Sequence, residues 1–180
     1  MCKNILILST SPRKGGNSDI LADEFAKGAT DAGNTVEKIC LYNKTLNFCK
    51  GCLSCQKTSR CAIHDDADPI VQKMLLADVI AFSTPIYFYE MCGQMKTLLD
   101  RSNPLYISNY AFRRIYLLAT SADTDKRAMD GAIKGLEGWI SCFERASLAG
   151  VVRGTGADEK GAIKGSPAIE EAYRLGKEII

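Results

Sequence analysis

Histidine is nearly absent from this chain: among 180 residues only His64 is one. It lies in Ala62-Ile63-His64-Asp65-Asp66, a loop segment with no context for a Ser-His-Asp or Cys-His-Asn relay, so hydrolytic nucleophile chemistry has no base to rest on. Such a histidine reads as solvated. Long hydrophobic runs are missing as well. No stretch approaches the ~18–20 apolar residues of a membrane span, and the opening Met1-Cys2-Lys3-Asn4 has no signal-peptide character. The expectation is a cytoplasmic protein with no membrane partner. Excess charge is also lacking: net charge is +2 with 24% charged residues, which asks for no nucleic acid and does not suit an acidic electron shuttle. No G-x-x-x-x-G-K-[ST] or G-x-G-x-x-G can be read, and Gly154-Thr155-Gly156 lacks the third glycine of a dinucleotide fingerprint.

What is present is an alternation of short apolar runs and helical patterns. Ile5–Leu8, Thr35–Ile39, Val79–Phe82, Ile115–Ala119 and Leu148–Val152 read as strands. Helices are expected from about Ser18 to Gly33, then over 68–76, 93–101, 127–143 and 167–180, with residues 42–66 left as a long loop. Trp139 and Phe143, four apart, read as core. No repeat or linker interrupts the series, so residues 1–180 are expected to form a single domain, large enough to bury about 70% of its unfolded surface. Five strands alternating with helices predict an α/β fold, a doubly wound parallel sheet in three layers. Right-handed crossovers bring every strand's carboxyl end to one edge, where ligands bind.

Three segments fall at that edge: 9–18, 84–89 and 120–123. The first, Ser9-Thr10-Ser11-Pro12-Arg13-Lys14-Gly15-Gly16-Asn17-Ser18, joins a buried strand to a helix start. Unpaired N–H groups and partial positive charge at a helix start suit a phosphate. The hydroxyls add donors, Arg13 and Lys14 add countercharge, and the glycine pair allows a tight turn. An ordinary turn capped by Asn17 or Ser18 is the plainer alternative.

The eight cysteines are unevenly spread. Cys49, Cys52, Cys55 and Cys61 form C-x2-C-x2-C-x5-C, half of all the cysteines within 13 residues. Thiolates at such spacing hold an iron–sulfur cluster or zinc, and a tight Gly51-containing loop converges on a cluster more naturally than on one ion. Structural or redox-sensitive thiols without metal remain the third option. Cys2, Cys40, Cys92 and Cys142 are scattered and read as small core hydrophobes. Asp65, Asp66 and Asp68 read as negative charge at the start of a helix.

With these segments placed, the chain resembles the flavodoxin-like NAD(P)H-dependent FMN reductases, and within them the iron–sulfur flavoproteins. The resemblance rests on STSPRKGGNS at 9–18, CKGCLSCQKTSRC at 49–61 followed by Asp65-Asp66, and STPIYFYEMCGQMKTLLDR at 83–101, and spans residues 3 to about 122. It implies sheet order 2-1-3-4-5 with FMN at the carboxyl edge. Carried over by residue, Ser9, Ser11, Arg13, Asn17 and Ser18 would hold the FMN phosphate, and Thr84, Pro85, Ile86, Tyr87 and Phe88 would line the flavin ring. Thr120 and Ser121 would close the site. The second set also suits a flat ring that needs backbone amides at one edge and apolar surface on its faces. The resemblance points Cys49, Cys52, Cys55 and Cys61 toward a 4Fe–4S cluster, and implies a homodimer or homotetramer.

The function expected is an oxidoreductase: NAD(P)H reduces FMN, which passes electrons to a small acceptor such as free flavin or a quinone, or to an iron–sulfur centre. No catalytic side chain is assigned, because the flavin itself carries the chemistry. A flavodoxin-type electron carrier without its own substrate, or a non-redox binder of a phosphorylated ligand, are the competing readings.

Overall fold

The computed structural model describes residues 2–180, and Met1 of the opening tetrapeptide lies outside the described residues. The chain forms strands β1 (Asn4–Ser9), β2 (Thr35–Cys40), β3 (Val79–Tyr87), β4 (Glu90–Met91), β5 (Arg114–Thr120) and β6 (Ser147–Gly154). Its helices are α1 (Asn17–Asp31), α2 (Cys55–Thr58), α3 (Ala67–Leu76), α4 (Gly93–Arg101), α5 (Asp130–Ile140) and α6 (Pro167–Lys177). The parallel sheet runs β2-β1-β3-β5-β6, which is the flavodoxin-like 2-1-3-4-5 order of the five expected strands.

The additional strand β4 corrects the expected loop at 84–89. Thr84 and Pro85 continue β3 opposite Ala119 and Thr120, and Ile86 and Tyr87 then pair antiparallel with Met91 and Glu90. The hairpin supplies partners for backbone groups that would otherwise be left unpaired beyond the parallel ladder. Its two turn residues, Phe88 and Tyr89, both have positive φ (51° and 64°), as a type I′ turn requires. The helix expected over 127–143 is shorter than its pattern. Lys126–Met129 is a 3-10 turn capped by the Asp125 carboxylate, which accepts from Arg127 N, and α5 ends at Ile140.

Strands covered on both faces carry continuous apolar runs, and here neighbouring residues divide between two cores. Leu6, Leu8, Ile80, Phe82, Ile115 and Leu117 face the side of α3, α4 and α5. Ile5, Ile7, Ala81, Tyr116 and Leu118 face α1 and α6. These two helices cross closely: a Cβ at Gly28 would lie 2.0 Å from Tyr173 O, and one at Gly176 would lie 2.2 Å from Phe25 O. Only glycine permits that approach, which seats α1, and the turn leading into it, firmly on the sheet.

Residues 42–66 complete a 3-10 turn that starts at Leu41 (Leu41–Asn43), include the single turn α2, and are otherwise irregular. A buried ion pair anchors them. Arg101, the last residue of α4, has a fully buried side chain, and the side chain of Asp65 is only 2% exposed. Both Arg101 Nη atoms donate to Asp65, each at 2.8 Å. They donate also to Asn47 O at 2.7 Å and Ile63 O at 3.0 Å, while Nε donates to Cys61 Sγ at 3.3 Å. Burial opposes the Asp65 charge, but the Arg101 guanidinium and the donors of Asn47 and Ala67 outweigh it and hold the carboxyl far below the ordinary range. Asp65 is therefore a buried anchor as well as charge at a helix start, since it also accepts from the N–H of Ala67, the first residue of α3, at 3.1 Å.

Removing one member of such a pair leaves the other charged and buried. Asp65→Ala is expected to cost about 3–5 kcal/mol, read as a lowered urea midpoint. A loss below 1 kcal/mol would show that the loop does not depend on the pair.

Candidate functional site

The 9–18 turn is built around a buried carboxylate that the sequence did not signal. Asp19 accepts from Ser9 Oγ at 2.7 Å and from Gly15 N at 3.0 Å. Lys38 reaches the same carboxylate at 3.1 Å and also pairs with Asp23. Burial works against the Asp19 charge, yet the Ser9 hydroxyl, the Lys38 ammonium and the Gly15 N–H together lower its pKa. Thr10 N and Oγ1 both donate to Ser83 O at 2.8 Å, tying the turn to β3. Ser11 Oγ folds onto Arg13, accepting from its N and donating to its O at 3.1 Å each. A Cβ at Gly16 would lie 2.9 Å from Ser11 Oγ, so this closure depends on glycine.

The expected phosphate residues therefore separate into two groups. Ser9 is committed to Asp19, and the Asn17 side chain bonds the distant 157–163 backbone. Arg13 and Lys14 are exposed and enter no ion pair among the described residues. Ser18 is buried, and its hydroxyl has no hydrogen-bond partner. No side chain caps α1 after Gly16. An uncapped helix start beside an orphaned buried hydroxyl is a cradle with donors to offer an anion.

The other two segments border this turn. Buried Thr84 accepts from Cys92 N at 3.1 Å, and Cys92 Sγ donates to Thr10 O at 3.3 Å, so β1, β3 and the start of α4 are stitched at one level. Pro85 is buried and Ile86 half-buried, while exposure rises through the hairpin: Tyr87 42%, Tyr89 66% and Phe88 complete. Thr120 and Ser121 are buried at the end of β5, where Ser121 Oγ donates to Asp123 O at 2.9 Å and shapes the turn.

On the α4–α5 side lies a cavity of about 290 Å³ lined by Cys49, Cys52, Cys55 and Cys61, with Trp139 and Phe143 also in its wall. These two aromatics do belong to the core, as expected, but they also face the thiols. Cys61 Sγ accepts from Arg101 Nε, Cys55 Sγ from Asn103 Nδ2 at 3.2 Å, and Cys49 Sγ from Gly51 N at 3.4 Å. At Cys52 the Ser54 hydroxyl and N–H lower the thiol pKa. All eight cysteines are free. Among the described residues no three cysteine, histidine or acidic side chains form a group arranged to hold a metal ion. Each of the four sulfurs has a hydrogen-bond donor beside it, surroundings that favour the thiolate form. Two scattered cysteines depart from expectation: Cys2 and Cys142 are exposed rather than core, whereas Cys92 is fully buried.

Residues 3–150 match the family described as NADPH-dependent FMN reductase. The chain belongs to that family. Among family relatives, the iron-sulfur flavoprotein MJ1083 of Methanocaldococcus jannaschii is 41% identical over 57% of this chain and 53% of its own length. An iron-sulfur flavoprotein of Methanosarcina thermophila is 30% identical over 74% and 70%. A putative NAD(P)H-dependent FMN-containing oxidoreductase of Bacillus subtilis is 28% identical over 95% of both chains. The chain spans about half the length of the first two curated relatives it matches. Among solved structures, an azoreductase of Bacillus anthracis aligns over 97% of this chain and 99% of its own with a TM-score of 0.73 at 17% identity. An NAD(P)H:quinone oxidoreductase of Methanothermobacter marburgensis aligns over 98% and 96% with a TM-score of 0.71 at 16% identity. At such identities these two share the fold with this family member.

The lowered pKa of Cys52 has a direct consequence for the metal-free, reduced chain. Ser54→Ala is expected to slow alkylation of Cys52 by iodoacetamide at neutral pH several-fold, followed by peptide mass spectrometry. An unchanged rate would remove Ser54 as the cause.

Proposed function

We propose that this chain, read as one FMN-binding domain over 1–180, is a cytoplasmic NAD(P)H-dependent oxidoreductase that passes electrons to a small acceptor such as a flavin or quinone. The observation that carries this reading is the uncapped start of α1 with the orphaned Ser18 hydroxyl, bordered by the ends of β3 and β5. FMN, when bound, supplies hydride acceptance from a nicotinamide and release of electrons to the acceptor. The chain's residues hold and orient. Arg13, Ser18 and the first N–H groups of α1 bind the phosphate, while Ser9 and Asn17 act behind them by fixing the turn. The Thr84–Phe88 strand end and hairpin carry the ring, with Thr120 and Ser121 at the third rim. The fully exposed Phe88, set in a turn of positive φ, supports assembly into a homodimer or homotetramer in which a second copy covers the tip.

Anaerobic mixing of the FMN-loaded protein with NAD(P)H should bleach the flavin at catalytic rates. A flavodoxin-type carrier, or a non-redox binder, would not respond. Tyr87, half-exposed beside the cradle, offers the aromatic surface on which a nicotinamide stacks. Tyr87→Ala should therefore slow stopped-flow flavin reduction about tenfold with most FMN retained. Unchanged reduction would make Tyr87 a packing residue.

Cys49, Cys52, Cys55 and Cys61 are proposed to hold a 4Fe–4S cluster that serves as a one-electron outlet. The donors at each sulfur and the absence of disulfides support this. Anaerobic reconstitution with iron and sulfide should yield about four irons per chain and a reducible paramagnetic signal, both lost in Cys52→Ser with FMN binding intact. A protein that binds FMN fully yet takes up no iron would leave the thiols without this role.

A further inference from the structure

Gly15, at positive φ (62°), has a neighbour from far along the chain. A Cβ built there would lie 3.5 Å from Lys160 Cε and 3.6 Å from Lys160 Nζ. The ammonium thus rests against the turn that leads into α1.

Its position is built rather than incidental. Asn17, 2% exposed, donates through Nδ2 to Ala157 O at 2.9 Å and to Glu159 O at 2.7 Å. Its Oδ1 accepts from Gly161 N at 2.8 Å and Ile163 N at 3.4 Å. These bonds grip the backbone immediately before and after Lys160. Gly161 (φ 91°) supplies a bend that a residue with a Cβ would resist. Lys160 itself forms no ion pair or side-chain hydrogen bond among the described residues, although acidic residues precede it at Asp158 and Glu159. A cation without a carboxylate therefore rests against Gly15, two residues before the uncapped start of α1, whose second residue is the buried, unpartnered Ser18. Each of the three lacks a partner, and an anion bound at this turn is the kind of group that supplies one.

We propose that Lys160, presented by the 155–165 segment, is a direct phosphate contact for the 5′-phosphate monoester of the bound flavin. This deepens the FMN reading and rests on it. Lysine is suited to the role as a compact point charge at the open side of the cradle, complementing the planar Arg13. The cradle is thereby completed from both ends of the chain.

Lys160 is exposed, so its substitution leaves the core untouched. The apoprotein is titrated with FMN and with riboflavin in the wild type, Lys160→Ala and Lys160→Arg, at low and high salt. In Lys160→Ala, FMN binding should weaken on the order of tenfold while riboflavin binding is unchanged. Lys160→Arg should retain most of the FMN affinity, and the salt dependence of FMN binding should be steeper in the wild type than in Lys160→Ala. A wild type that binds riboflavin as tightly as FMN would overturn the phosphate reading itself. A wild type that discriminates between them, beside a Lys160→Ala variant that discriminates equally with the same salt slope, would overturn the role of Lys160 alone.

Discussion

The parallel sheet is covered on both faces, and that constraint decides where polar chemistry sits. Ile5 and Ile7 face one core while Leu6 and Leu8 face the other, so beyond its exposed first residue, Asn4, β1 has no position for a polar group until Ser9. In β3 the change comes at Ser83, directly opposite Ser9 in the ladder, and the polar end of β5 follows at Thr120 opposite Pro85. The switch from apolar to polar thus falls near one level across three neighbouring strands, where helix starts also point. Outward loops at this edge can then specialise without disturbing either core.

Loops that specialise create a second problem, because irregular backbone brings carbonyls and N–H groups into partly buried places. Two side chains at helix ends solve it. Asn17, the first residue of α1, satisfies two carbonyls and two N–H groups of the 157–163 segment. Arg101, the last of α4, satisfies Asn47 O and Ile63 O while neutralising Asp65 and donating to Cys61. Each unmet group would cost about 1–3 kcal/mol, so apolar residues of similar volume could not replace these two. Both clasps are polar because what they hold is backbone.

The sheet and its helices were legible because a strand buried on both faces is a continuous apolar run and a helix repeats every 3.6 residues. Glu90–Met91 was not, since two residues have no period. Nor was the Phe88–Tyr89 turn, which lacks the glycine or asparagine that normally marks positive φ. At the site, residue type told more than it could about direction. The hydroxyl of Ser9 and the amide of Asn17 look available in sequence, yet one faces Asp19 and the other a segment more than a hundred positions away. Asp65 was read as helix-start charge because its partner Arg101 is distant in sequence, and no local pattern marks a long-range ion pair. The cysteine spacing was readable; the N–H donors that surround those sulfurs were not.

Helix α4 links the turn before α1 to the thiol cavity. Its start at Cys92 is bonded to Thr84 and Thr10 at the cradle's edge, and its final residue, Arg101, grips the cysteine loop. Nine residues at 1.5 Å per residue make a spacer of about 13 Å. Met95, Leu98 and Leu99 hold it against the same core that Phe82 and Leu117 occupy. A helix packed along its length transmits position better than a loop of equal span, because its backbone bonds are internal and its inner face is locked. The distance between the cradle edge and the thiol cavity is therefore set by secondary structure, while the turn before α1 and the cysteines lie on loops that can vary. Displacing Arg101 would release the cysteine loop but leave the start of α4, and with it the ends of β1 and β3, held by Thr84 and Thr10.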